Sequence, residues 1–444
     1  MAKLHGHAIS SSSRPFEIAI AMAALVVTLS SALSLVNTLA RRWRIAAHSL
    51  ARRWSLPPSQ RPPGRSTNQR VLAAAAFLPF EPQPSPKSRR KQWFEGWFFR
   101  LTDHRALTSV AVVFGSLRRP NEPPPAAFSE HIVVVAYRDG AGVARTEAAY
   151  LDAGAVRIRG GAADAFDAPA IGGGGPRVSW WSDEHGGMVV EGDRAMLDVR
   201  VAGLRLAANV SAPRVPWDAA RPDTAGPEGW LARTGLLPCH YFVHSFGSPA
   251  RYRLLRRGAL VAGGGAATAH AERNYGDTFP TGWVWAQASA AGGAAHLILT
   301  GGRFVIGPLT TRSYVLGVRA GALALDFRTT DLDRVEEARH PCAGRFELNA
   351  TSRDGRRRLR LRIAAPPASF GRPIPVPTLD GFSAAPGAVE SYAAVADLVA
   401  HARAPRGLAR DVGLDVDADG WLDAPLLRTR IELAALEFGG AFQC

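Results

Sequence analysis

The chain has 444 residues, 47% of them hydrophobic and 20% charged, a globular composition long enough for two or three separate cores. Its net charge of +15 is concentrated at one end: residues 1–92 hold 14 Lys and Arg against two acids, whereas the rest carries 39 basic and 36 acidic side chains. That near-neutral body excludes nucleic acid and other polyanions as expected partners. Three cysteines are too few for a disulfide framework, so reducing surroundings are the default expectation.

The first element is an apolar run from Ile18 to Leu39, expected to be helical and roughly long enough to cross a bilayer core. Residues 41–70 follow, rich in Arg and Ser and free of acids, which is the composition of an organelle transit peptide. Together they read as a two-part address for a plastid bounded by extra membranes, or as an uncleaved membrane anchor with a basic flank. Residues 1–90 are therefore assigned to leader and linker.

From Lys91 onward the apolar residues recur mostly with period two. "EHIVVVAYRDG", "LDVRVAGLRLAANV", "AHLILTGGRFVI" and "RRRLRLRIAA" are short strands cut by Gly, Asp-Gly and Pro turns. Many such strands at close spacing predict an all-β body of sandwich or barrel type. One segment, Ala388 to Arg403, has apolar residues near i, i+3 and i+4 and is predicted as a helix.

Three carboxylates stand in apolar company. In "KQWFEGWFFRLTD", strand parity puts Glu95 in a row with Trp93, Trp97 and Phe99, where lost hydration should raise its pKa; a bulge at Gly96 would instead expose it. In "HAERNYGDTFPTGWVWAQA", His270, Glu272 and Asn274 share one face, and after the turn Trp283, Trp285 and Gln287 share another. A solvated polar face and an indole-flanked acid are both open there. In "RIELAALEFGG", Glu437 shares parity with Ile431, Leu433 and Ala435, as a structural ion pair or a poised acid. Cys239, His240 and His244 in "PCHYFVH" lack a third aligned ligand, so a zinc site is not expected.

Four segments, "FEGWFFRL", "GWLARTGLLPCHYFVHS", "HAERNYGDTFPTGWVWAQA" and "ALEFGG", resemble in the same order the landmark segments of the tocopherol cyclase family. The resemblance covers about residues 93–440. It implies two packed lipocalin-like β-barrel or sandwich halves, assigned here to 91–250 and 251–444. It also implies closure of the chroman ring of a prenylated (phytyl) benzoquinol in vitamin E biosynthesis, without metal or redox cofactor.

That chemistry needs an acid to protonate the prenyl alkene and a phenol oxygen to capture the tertiary cation. It also needs aromatic walls to stabilise the cation. Carried over, Glu272 is the expected proton donor with Asn274 orienting it or the phenol, Glu95 is the rival acid and Glu437 a distant third. Trp97, Trp283, Trp285, Gln287, Tyr275, Glu437 and His240 are the expected substrate-binding residues. Phe98, Arg273 and Tyr275 depart from the family's Tyr, Lys and Trp, which loosens the substrate assignment.

Two alternatives accompany this reading: a carotenoid-hydratase-like enzyme, and a non-catalytic lipocalin-like binder of hydrophobic ligands. A lipid-soluble prenylquinol implies contact with a membrane or lipid-droplet surface.

Overall fold

A computed structural model describes residues 91–121, 128–161, 177–217, 226–233, 237–306, 309–404 and 415–444; the expected leader lies outside them. The described chain is all-β. The first sheet contains β1 (Trp93–Asp103), β2 (Thr108–Arg118), β3 (Glu130–Arg138), β4 (Ala144–Asp152), β5 (Arg157–Gly161), β6 (Arg177–Ser182), β7 (Gly186–Glu191), β8 (Arg194–Val201), β9 (Leu204–Val210), β10 (Cys239–Arg256) and β11 (Ala259–Gly276). The second contains β12 (Gly282–Ser289), β13 (His296–Ile306), β14 (Leu309–Ala320), β15 (Leu323–Arg328), β16 (Arg334–His340), β17 (Arg345–Thr351), β18 (Arg357–Ala364), β19 (Ile374–Thr378), β20 (Gly381–Ala402) and β21 (Leu427–Gly440).

In space the first sheet runs β4-β3-β2-β1-β11-β10-β9-β8-β7-β6-β5, and the second runs β15-β14-β13-β12-β21-β20-β18-β17-β16, with β19 paired to β20. Each half thus joins its first strand to its last by a non-sequential pairing, β1 with β11 and β12 with β21. The chain passes between the sheets at 277–281.

Each sheet curls around its own core, forming a lipocalin-like half. Trp97, Phe99 and Leu101 of β1 pack with Val112, Phe114 and Val135 inside the first. Leu297, Leu316, Leu361 and Leu398 do the same inside the second. The opposite faces of β1–β3, β10, β12 and β20 meet along a seam that buries Ile132, Val134, Phe246, Ile298 and Tyr392. Strands covered on both faces have no wet side, so β3 reads as an unbroken apolar run. Strands β8 and β9 alternate because one face remains exposed.

Two expectations are corrected here. The helix predicted for Ala388–Arg403 is extended chain, lying within β20 as far as Ala402 and paired to β18 on one side and β21 on the other. Ala396, Leu398 and Ala400 enter the second core at period two. Alanine-rich spacing satisfies either period, and the two waiting strand edges decide it. The cysteines are not all free thiols: Cys342 and Cys444, 102 residues apart, form a disulfide, leaving Cys239 free. Separation in sequence carried no sign of this contact, which arises because the C-terminal turn folds back and Phe442 packs beneath Arg339 of β16. No helix among the described residues is long and apolar enough to cross a membrane.

Candidate active site

Strand register decides where each carboxylate points. β1 and β11 pair without a bulge, aligning Glu95 with Tyr275, Gly96 with Asn274, Trp97 with Arg273 and Phe98 with Glu272. Glu95, Trp97 and Tyr275 therefore project into the first half, while Phe98, Glu272 and Asn274 project into the seam.

Inside the first half Glu95 is 1% exposed, and its Oε1 lies 3.1 Å from Arg273 Nη2. The Arg273 guanidinium sits over the rings of Trp97 and Tyr275 at 5.5 and 4.6 Å. Tyr275 stacks on His240 at 4.9 Å, and His240 Nδ1 is 3.0 Å from Glu228 Oε2. Four of the sequence-selected residues thus belong to one run of contacts centred on a buried ion pair.

The seam gathers a different set. Across the second sheet, Trp285 of β12 aligns with Glu437 of β21, and Glu437 aligns with Glu390 of β20. Trp283 Nε1 donates to Glu437 Oε1 at 2.5 Å. Trp285 Nε1 reaches the other sheet and donates to Glu272 Oε2 at 3.2 Å. Tyr241 of β10 also donates to Glu272 Oε2 at 2.5 Å, and His270 Nε2 lies 2.7 Å from the same atom. The two indoles of Trp-Val-Trp therefore each hold one carboxylate, one from each sheet.

Two glycines make room for this. A Cβ at Gly439 would stand 1.9 Å from Trp283 Cε2, so the indole lies directly on the β21 backbone. A Cβ at Gly96 would stand 2.5 Å from Asn274 Oδ1, so the Asn274 side chain crosses β1 at that point. Gly96 of "FEGW" and Gly439, the first glycine of "EFGG", are thereby accounted for by close approach of a neighbouring side chain.

A cavity of about 560 Å³ occupies the seam, a size suited to a drug-sized ligand. Phe98, Tyr241, Glu272, Asn274, Trp283, Trp285 and Glu437 all line it. Glu95 and Trp97 contribute to the β1 wall from the strand whose opposite face carries their side chains.

Loss of hydration raises the Glu437 carboxyl to about 7; the Trp283 hydrogen bond opposes this and the nearby Glu272 charge adds to it. Burial, reinforced by the Glu437 charge, holds Glu390 well above the ordinary carboxylate range, and Tyr392 Oη donates to its Oε2 at 2.6 Å. Burial and the Glu272 charge likewise raise the Tyr241 phenol.

Gln287 lies apart from the cavity. It is 1% exposed, and Arg100 Nη1 donates to its Oε1 and, at 3.2 Å, to its backbone oxygen. Arg100 also donates to Ser109 Oγ at 3.0 Å and to the Leu433 carbonyl, so it pins the first sheet to the second. Burial lowers this guanidinium to about 10, although the Glu390 charge favours its ionised form.

Sequence reasoning passed over Tyr241, Glu390, Tyr392 and Arg100. Tyr241 becomes legible only through the pairing of β10 with β11, and Glu390 and Tyr392 lie in the segment read as a helix. His270 was visible as the row-mate of Glu272, with nothing to mark its contact. Among the described residues no three metal-ligating side chains are gathered.

A carboxyl raised towards neutrality by burial, a second carboxylate opposite it and aromatic walls suit proton transfer to an apolar ligand. No protein-family model and no curated protein matches this chain in sequence. Among solved structures it is similar to CghA, with 12% identity over 79% of this chain and 88% of that one and a TM-score of 0.49. It is also similar to kievitone hydratase from Nectria haematococca, with 10% identity over 83% of this chain and 94% of that one and a TM-score of 0.44.

Proposed function

We propose that this protein is an acid-catalysed cyclase of a prenylated phenol, of tocopherol-cyclase type, acting on a phytylated benzoquinol. The observation that carries the reading is the pair of carboxylates held by Trp283 and Trp285 at one apolar cavity. The ordered resemblance of the four sequence segments supports the choice of substrate.

Glu437, rather than the Glu272 favoured from sequence, is assigned as donor, because its raised pKa leaves a large protonated fraction near neutral pH. Its proton adds to the less substituted alkene carbon, forming a C–H bond and a tertiary cation. The faces of Trp283, Trp285 and Phe98 stabilise that cation. The phenol oxygen then attacks it, forming the ring C–O bond. The phenol proton passes to Glu272, which Tyr241, His270 and Trp285 hold in place. The product is an isomer of the substrate, and proton exchange restores both carboxyls.

The test supplies the full-length protein with phytylated methyl-benzoquinol under anaerobic conditions in D₂O. The expected product is a chroman carrying one non-exchangeable deuteron, and Glu437→Gln lowers its rate by about 100-fold to 10,000-fold. Recovery of unchanged quinol alone, or of a product heavier by one water, sinks the cyclase reading; the second result would make the protein a hydratase.

A further inference from the structure

The two walls of the cavity run in parallel order. On the first sheet the seam passes from β10 through β11 and β1 to β2 and β3; on the second it passes from β14 through β13, β12 and β21 to β20. β10 touches β13 at one end, and β2 and β3 touch β20 at the other. Glu272 on β11 and Glu437 on β21 lie between those ends, Glu272 one strand from β10 and Glu437 one strand from β20.

The two ends differ in chemistry and exposure. At the β2/β3/β20 end the cavity is lined by Ile132, Ile374, Val376 and Ala388, each at most 9% exposed, with Val113 and Phe382 beside them. That end is apolar and its wall is buried. At the β10/β13/β14 end the lining includes Thr300, Thr311, Ser313, Thr329 and Thr330, and the rim carries Trp230 and Leu332, 58% and 66% exposed. That end is the more polar and the more exposed of the two. Thr330 Oγ1 is buried there and has no hydrogen-bond partner among the described residues, although a buried hydroxyl normally has one.

We infer that the ligand lies along the seam in one direction, its polar head at the hydroxyl-lined end and its apolar tail at the buried apolar end. The carboxylates then fall beside the head–tail junction. The site selects an amphiphile whose reacting double bond is close to its head, and the buried apolar end limits tail length. This deepens the cyclase reading and rests on it for the word "reacting"; the direction of binding does not.

Binding of unreactive phenols with saturated tails of increasing length separates the two. With the full-length protein, Kd is followed by quenching of tryptophan fluorescence. Affinity should rise about fourfold per buried methylene until the tail meets the end wall. Val113→Phe should shorten the tolerated tail, weakening the longest ligands by about tenfold or more while leaving the shortest within about twofold. Phe382→Ala should extend the tolerated tail. Thr330→Val should weaken every ligand by about fivefold whatever its tail.

Retained binding of short ligands certifies that each variant is folded. The inference is overturned if Val113→Phe and Phe382→Ala change all tail lengths equally, or if Thr330→Val acts through tail length. Because these ligands cannot cyclise, the direction can fail while turnover stands, and turnover can fail while the direction stands.

Discussion

The β1–β11 pair carries a buried carboxylate among aromatics on each of its faces, and the two are put to different uses. Glu95 faces the inside of the first half, where the Arg273 guanidinium meets it and is itself sandwiched by Trp97 and Tyr275. Glu272 faces the seam, where its neighbours are a phenol, an imidazole and an indole at the edge of a cavity. Burial beside aromatic rings is common to both and decides neither. A full counter-charge turns one into a strut; tunable donors and an open wall leave the other available to a ligand.

Removing each carboxylate is the strongest way to break that contrast. Glu95→Ala leaves a buried guanidinium without its carboxylate and should destabilise the fold by about 3–5 kcal/mol, read as a lower urea midpoint. Replacing Arg273 with Met in the same chain should recover part of the loss. Glu272→Gln keeps an oxygen for the donors around it, so it should unfold close to wild type while its turnover falls. Equal urea midpoints for Glu95→Ala and Glu272→Gln would remove the distinction between the two faces.

A smaller effect sharpens it from the other sheet. Gly439→Ala places a methyl group where the Trp283 indole now lies, and the indole must move away from Glu437. Such overpacking typically destabilises by about 1–3 kcal/mol. Turnover should drop further than the shift in Tm alone explains, because the displaced ring also held the acid. Gly154→Ala, at a position with open space around it, supplies the control.

Much of this was legible in the sequence. Period two announced an all-β chain, and the segments "FEGWFF", "HAERNYGDTFPTGWVWAQA" and "LEFGG", in that order, mark Glu272, Trp283, Trp285 and Glu437 as candidates together. Direction was not legible: a bulge at Gly96 would turn Glu95 to the opposite face, and only the unbroken β1–β11 register excludes that. Glu390 was hidden for a different reason. Its segment is rich in alanine, which has no preference strong enough to resist the edges of β18 and β21, so local spacing misnamed the element that carries it. Gln287 was grouped with the tryptophans by parity, yet Arg100 from the facing sheet claims its side chain. Contacts across two sheets leave no trace in the spacing of either.

The last difference between the faces concerns pH. Glu437 is raised from 4.5 to about 7 in the folded protein, and Glu390 is raised well above 4.5. Between those values the folded chain binds more protons than the unfolded one, so stability falls as pH rises. The Glu437 contribution is complete below about pH 4.5, declines through the window up to about 7 and is flat beyond it. Glu437→Gln removes that decline and, by removing a charge that reinforces the Glu390 shift, lessens the part due to Glu390 as well. Urea unfolding of wild type and variant from about pH 4.5 to pH 8 should therefore give curves that separate with rising pH, the variant gaining relative to wild type. The wild-type rate of chroman formation should fall over the upper part of the same window, as the donor loses its proton. If the stability curves stay parallel, Glu437 titrates like an exposed acid, and the seam lacks the property that sets it apart from the Glu95 face.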